Sequence, residues 1–379
     1  MSETGTRTAL VMSGGGARAA YQVGVLQAIR DVVGDGRQNP FQIICGTSAG
    51  AINAVALACG AQNFRAAVDD LADVWWNFRT NQVYRSDIGG MSLTSVRWLG
   101  ALALGWVFRS NPKYLLDNRP LAELLRQRLD FSRIDQAIAT GALYAISVTA
   151  SGYTSGQSVS FFQAQAEVKP WTRAQRIGSR VRLGIDHLLA SSALPFIFPA
   201  MRIHREFFGD GSMRQLAPIS PAIHMGADRV FVIGSSHLQE PDVRLVQSTY
   251  PSLAQIAGHV MSAIFLDSLA ADIERLERIN QTLSRIPEDL RVENGIRLRP
   301  IRALIIQPSE RIDRLAARHG RVLPWPVRTL LRGVGAMHRR GGALASYLLF
   351  EQPFTRALIE MGYRDTMARR DEVEAFFGP

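Results

Sequence analysis

Apolar and polar positions fall into short blocks along the chain, and each block predicts an element. Thr8–Ser13 is an apolar run with β-branched members that stops at Gly14-Gly15-Gly16. That is the pattern of a buried strand running into a glycine turn. From Ala17 to Arg30 the apolar positions Ala20, Val23, Leu26 and Ile29 recur at helical spacing, and a second strand is expected at Phe41–Cys45. Gly46 ends that strand, and an Ala-rich helix follows from about Ala49 to Cys59. Strand, glycine turn and helix, twice over, is the pattern of a parallel α/β sheet. Further strands are expected at Leu143–Ala150, Ser158–Gln163, Met201–Phe207, Arg229–Ile233 and Ile301–Gln307, with one long helix over Ser252–Arg285. Between Tyr84 and Lys113 the periodicity fades, and Trp98, Trp106 and Phe108 crowd among leucines. This stretch, about 84–113, reads as a cap-like insertion over the sheet. Arg311–Pro379 reads as mostly helical, broken at Pro324, Pro326 and Pro353. With no repeat and no long linker, the expectation is one α/β domain over 1–310 and a helical extension over 311–379 packed on or near it.

Composition narrows the class. With 47% hydrophobic and 20% charged residues among 379, the chain has ample apolar surface to bury and is not disordered. Two cysteines, Cys45 and Cys59, exclude a disulfide scaffold and a cysteine-based zinc cluster and fit a reducing compartment. The formal net charge is +10, and only Lys113 and Lys169 are lysines, so the basic character is almost all arginine. Coding bias would produce this, and so would selection for an anionic partner. No nucleic-acid module is present, and the aromatics are not interleaved with arginine as a stacking platform requires, so nucleic acid is not expected as a partner.

An anionic membrane surface is the expected alternative. Arg314 to Phe350 holds seven arginines and no acidic residue, among Trp325, Leu330, Leu331, Tyr347, Leu348 and Phe350. That mixture suits an interfacial segment, and the cap around Trp98, Leu102, Leu104 and Trp106 would be a second one. The N-terminal residues lack a charged leader and a long apolar run, and Trp98–Phe108 has about half the length of a spanning helix. The expected location is cytoplasmic, at most peripheral on the inner face of the membrane.

Two glycine blocks carry the chemistry. Gly46-Thr47-Ser48-Ala49-Gly50 is a G-x-S-x-G elbow, in which a sharp strand-to-helix turn presents a serine hydroxyl at a helix N-terminus. Gly14-Gly15-Gly16-Ala17-Arg18 opens the preceding helix with bare backbone N–H groups that suit an anion or oxyanion. The same residues fit a dinucleotide fingerprint through Gly14, Gly16 and Ala19, but that reading needs an acidic residue ending the second strand, where Cys45-Gly46 stands. A serine nucleophile needs a base. None of the seven histidines sits in a strand-end loop with glycine or acidic support. Asp210, in Gly209-Asp210-Gly211-Ser212, is the better candidate, although an Asp between glycines is also an Asx-turn pattern.

Taken in order, these blocks resemble the patatin-like phospholipase family of lipid acyl hydrolases. Gly14–Arg18 resembles its glycine-rich oxyanion block and Gly46–Gly50 its elbow. Ala190-Ser191-Ser192-Ala193-Leu194-Pro195 resembles its A-S-x-x-x-P loop, and Asp210-Gly211 its D-G block. The resemblance implies a three-layer α/β/α fold around a mainly parallel sheet, and a 1–310 domain of this family. It implies a Ser48 nucleophile, Asp210 as general base, and an oxyanion hole from Gly14, Gly15, Gly16, Ala17 and Arg18. Gly46, Gly50, Ser191, Pro195 and Gly211 would support the site, and no metal or cofactor is expected. The implied reaction is hydrolysis of ester-linked fatty acids in phospholipids or lysophospholipids through an acyl-enzyme. Ala19 stands where the family usually has glycine, and Ser212 where it usually has glycine or alanine. Two other readings are a non-catalytic membrane-surface scaffold that keeps the fold, and a general carboxylesterase with a Ser-Asp-His triad, such as Ser48 with His237.

Overall fold

The structure is a computed structural model, and it describes residues 5–34, 38–85, 114–235, 253–295, 298–333 and 342–378. Its strands are β1 (Thr8–Met12), β2 (Ile43–Thr47), β3 (Ala145–Gly152), β4 (Ser158–Ala164), β5 (Trp171–Arg173), β6 (Arg176–Arg180), β7 (Met201–Ile203), β8 (Glu206–Asp210), β9 (Arg229–Ile233) and β10 (Arg302–Ile306). They form one sheet in the order β10-β9-β1-β2-β3-β4-β6-β5, with the β7–β8 hairpin attached to β3. The five strands from β10 to β3 are mutually parallel.

Such strands are covered on both faces, which is why they read as unbroken apolar runs. The period of two divides them. Leu10, Met12, Ile44 and Ile146 join one core. Ala9, Val11, Ile43 and Cys45 join another, with Leu269 and Leu276. Helices α1 (Ala20–Val33), α2 (Ala49–Cys59), α3 (Phe64–Trp76), α4 (Arg119–Arg128), α5 (Ser132–Ala139) and α6 (Ile185–Ser191) supply the first layer. The short α7 (Ser220–His224) and the long α8 (Leu253–Ser284) supply the second, and α9 (Glu288–Glu293) follows them. The result is a mixed, mostly parallel sheet with helices on both sides.

The remaining helices are α10 (Ile312–His319), α11 (Trp325–Gly333), α12 (Gly342–Leu348), α13 (Gln352–Met367) and α14 (Arg370–Phe377). They pack onto the first layer. A Cβ on Gly24 of α1 would run into the Ile359 carbonyl, and one on Gly362 of α13 into the Tyr21 carbonyl. Only glycine at these crossings lets the two helices touch backbone to backbone. Phe376 and Phe377 close the layer against Phe231 and Phe41.

Several expectations are corrected. The single strand expected at Met201–Phe207 is a hairpin that turns at His204-Arg205, with His204 at φ 52°. Histidine tolerates that region better than most residues, and no Gly or Pro marks the turn in the sequence. The helix expected from Ala17 begins as a 3-10 turn over Gly16–Ala19. Strands β5 and β6 are short, mostly polar and mostly only part-buried or exposed, so they carry no apolar signal. The apolar half of the expected interfacial patch is core, because Leu331, Tyr347, Leu348 and Phe350 are buried and only Trp325 stands out to solvent. From residue 86 the cap lies outside the described residues, as does the Leu330 side chain.

Candidate active site

Ser48 sits in the turn from β2 to α2 at φ 56° and ψ −131°, a region that residues with a side chain rarely adopt. The strain persists because the turn is held on several sides. The Ser48 N–H donates to Ser191 Oγ at 2.8 Å, and the Ser191 hydroxyl donates to the Thr149 carbonyl at 2.6 Å. Ser191 therefore ties the elbow to β3. A Cβ on Gly50 would strike the carbonyls of Met12 and Ser13, so glycine there lets the first turn of α2 lie directly on the end of β1. That contact brings the glycine turn beside the serine.

Asp210 ends β8 and is fully buried, its N–H donating to the Ala193 carbonyl at 2.9 Å. Oδ1 accepts from the Ser212 N–H at 2.9 Å, so the Asx turn is present. Oδ2 is buried with no hydrogen bond closed onto it. Burial pushes the carboxyl up to about 6, against opposing pulls from the nearby Ser48 hydroxyl and from Ser212. A base whose proton affinity lies near neutrality can both take a proton and return it. Ser212 thus acts on Asp210 directly.

The Gly14–Arg18 block divides by role. Gly16, at φ 56°, lines the same cavity as Ser48 and Ala49. The Gly14 carbonyl accepts from Ser235 Oγ at 2.6 Å. Arg18, grouped with the oxyanion residues by its motif, is committed elsewhere: its N–H donates to the Gly15 carbonyl at 3.1 Å and its Nε to Ser346 Oγ at 2.8 Å. Its guanidinium lies 4.3 Å from the Tyr347 ring centroid and is buried. A Cβ on Gly16 would run into the Tyr347 carbonyl, so α12 presses directly on this loop.

Sequence reading missed a buried amide network under the loop. Gln22 Nε2 donates to the Ser13 carbonyl at 2.7 Å and Asn53 Nδ2 to Gln22 Oε1 at 2.9 Å. Trp75 Nε1 donates to Asn53 Oδ1 at 2.8 Å. The available signal was a lone amide on an otherwise apolar helix face, at Gln22 in α1 and Asn53 in α2. Ser346 and Tyr347 had no local signal at all.

A cavity of about 340 Å³ has Ser48 in its wall and runs between α2, α3 and α4. Ile52, Ala56, Leu71, Trp75, Leu125 and Phe198 make its walls apolar, and Asn63, Asp70, Arg128 and Arg133 stand at the far end. Buried carboxyl, strained serine and apolar cavity share one end of the parallel strands. The patatin-like phospholipase family model matches residues 10–223, more than half of the chain. The chain belongs to the patatin-like phospholipase family.

A cGAMP-activated phospholipase of Pseudomonas aeruginosa (strain BWHPSA011 / Pa011) is 29% identical over 212 residues, which are 55% of this chain and 53% of that protein. The chain thus spans about half the length of that curated relative. Among solved structures, VipD from Legionella pneumophila gives a TM-score of 0.34 at 13% identity, covering 97% of this chain and 67% of VipD. The type III effector ExoU gives 0.35 at 13%, covering 98% and 54%. These overall superpositions are loose and carry no argument about the site.

Within this patatin-like phospholipase the described histidines lie elsewhere. His187 Nδ1 accepts from the Gly184 N–H at 3.1 Å and packs on Phe161, and His224 stacks on Trp171. Among the described residues, none lines the cavity that holds Ser48. His237, His338 and the side chain of His259 lie outside the description. Among the described residues, no three His, Cys, Asp or Glu side chains converge as metal ligands would. Pro195 opens the turn Leu194-Pro195-Phe196-Ile197, closed by the Ile197 N–H on the Leu194 carbonyl at 3.1 Å. Gly211 lies against the Thr149 carbonyl, and Gly46 against the first turn of α2.

Proposed function

We propose that this protein is a serine lipid acyl hydrolase that releases ester-linked fatty acids from phospholipids or lysophospholipids through a Ser48–Asp210 dyad. The observation that carries this reading is the strained Ser48 in the wall of an apolar cavity, with the buried Asp210 carboxyl near its hydroxyl. On this reading Asp210 Oδ2 takes the Ser48 hydroxyl proton as Oγ attacks the ester carbonyl carbon. Backbone N–H groups of Gly15, Gly16 and Ala17 donate to the oxyanion, with the α2 N-terminus adding its dipole. Collapse expels the alcohol portion of the lipid, which takes the proton from Asp210. A water molecule, deprotonated by Asp210, then attacks the acyl carbonyl, and Ser48 recovers its proton as the fatty acid leaves.

The cavity supplies the acyl site. Its α2 lining, from Ala49 through Ile52 and Ala56 to Gly60, follows one helix face. That face runs for about 16 Å. At about 1.25 Å per carbon it accepts an extended chain of about a dozen carbons. The C-terminal helices of 311–379 belong to the working unit, since α12 holds the glycine loop. We place the protein at the cytoplasmic face of an anionic membrane. Among the described residues, no helix is long and apolar enough to cross one.

The test is reaction of wild type, Ser48→Ala and each His→Gln variant with a fluorophosphonate, alongside mass spectrometry of lipid extracts. Labelling lost only in Ser48→Ala, together with released fatty acid, is the expected result. Absence of labelling in wild type supports a non-catalytic scaffold, and loss in one folded His→Gln variant supports a triad.

A further inference from the structure

Leu194-Pro195-Phe196-Ile197 is a four-residue turn closed by the Ile197 N–H on the Leu194 carbonyl at 3.1 Å. Proline stands at its second position and Phe196 at its third, with φ 65°. Proline cannot take a positive φ, so this is a type II turn, whose third position calls for glycine or asparagine. A bulky aromatic side chain there is a backbone outlier. The side chain makes no evident return for that strain by packing, because at 79% exposure it is the most solvent-exposed large apolar group among the described residues.

The backbone around it is fixed on both sides. The Phe198 N–H donates to the Leu194 carbonyl at 2.9 Å, the Leu115 N–H to the Phe196 carbonyl at 2.9 Å and the Leu116 N–H to the Ile197 carbonyl at 2.8 Å. Its neighbours Leu194 and Phe198 point the other way and line the cavity that starts at Ser48. One rigid turn therefore contributes two walls to the cavity and one phenyl ring to the outside. Strain of this kind concentrates at functional positions.

We infer that Phe196 is an interfacial anchor, inserted into the surface of a lipid bilayer on the outer side of the wall that Leu194 and Phe198 give the acyl cavity. This rests on the acyl-hydrolase reading only for the identity of what enters the cavity. The bilayer is the partner because a single apolar ring, held beside an apolar cavity on a chain of net charge +10, matches an anionic apolar surface. Phe196 holds this side of the protein, and the cavity wall behind it, against that surface.

The test uses vesicle co-sedimentation in the Ser48→Ala background, with mixed phosphatidylcholine–phosphatidylglycerol vesicles. Phe196→Gly and Phe196→Ser are expected to weaken binding by about tenfold to a hundredfold, the partition of one phenyl side chain. Phe196→Trp is expected to bind at least as well as the parent. With Ser48 restored, all three variants should turn over a soluble short-chain ester as wild type does. Phe196→Gly should unfold at a temperature equal to or above that of wild type, because glycine fits the turn. Unchanged vesicle binding by Phe196→Gly and Phe196→Ser overturns the proposal. So does a lowered unfolding temperature for Phe196→Gly, which makes Phe196 a packing residue. Wild type that cleaves no ester, yet binds vesicles through Phe196, sinks the hydrolase reading and leaves the anchor standing.

Discussion

Replacing Asp210 by asparagine should abolish activity while making the folded protein more stable above neutral pH. The carboxyl is fully buried, and desolvation lifts its pKa from an ordinary 3.8 to about 6. That rise corresponds to about 3 kcal/mol between the two protonation states, an upper figure because the neighbouring chain relaxes. A folded-state pKa above the unfolded one means that the folded protein holds the proton more tightly. The acid form's contribution to stability is therefore complete below about pH 4 and lost as the pH rises through about 6. Above that, wild type carries a buried carboxylate. The substituted amide would carry no charge and still offer an oxygen to the Ser212 N–H. Urea unfolding should show Asp210→Asn about 1–3 kcal/mol more stable than wild type near pH 8 and about equal near pH 4. Its kcat/KM should fall by about a hundredfold to ten-thousandfold, and wild-type kcat/KM should rise with pH and level off above about 6. A stability difference that is the same at all pH values, or a variant that keeps more than about a tenth of the activity, would refute the assignment.

Three further outcomes are expected. Ser48→Gly should be about 1 kcal/mol more stable than Ser48→Ala in chemical denaturation, because the backbone at φ 56° suits only glycine; both should be inactive in ester hydrolysis. Ser191→Ala should cost about 1–3 kcal/mol in chemical denaturation, since it strands the buried Ser48 N–H, and should lower kcat more than it raises KM. Ala56→Phe fills the cavity part-way along α2, so turnover of long acyl esters should fall by at least tenfold while acetyl and butyryl esters are spared, as a chain-length series would show.

The parallel half of the fold was legible because β1, β2, β3 and β9 are buried on both faces and bounded by glycines, and the partly buried edge strand β10 still reads as an apolar run. The turn at Ser48 and the strand end at Asp210 were legible as places in the fold for a related reason: both are flanked by glycines. The β7–β8 hairpin was not, because His204-Arg205 turns without the usual punctuation. The apolar residues of 331–350 looked interfacial beside their arginines. Whether Tyr347 and Phe350 face lipid or core depends on α1, α3 and the glycine loop, hundreds of residues earlier in the chain. The partner of the Arg18 side chain was hidden for the same reason, since Ser346 lies 328 residues away.

That separation orders events in time. A ribosome builds the elbow and Asp210 long before it reaches Ser346 and Tyr347, so the growing chain holds the strained turn and the buried carboxyl without the piece that packs on the glycine loop. The glycine loop is thereby left without that packing until α12 has been made. A chain cut before residue 342 lacks that packing altogether.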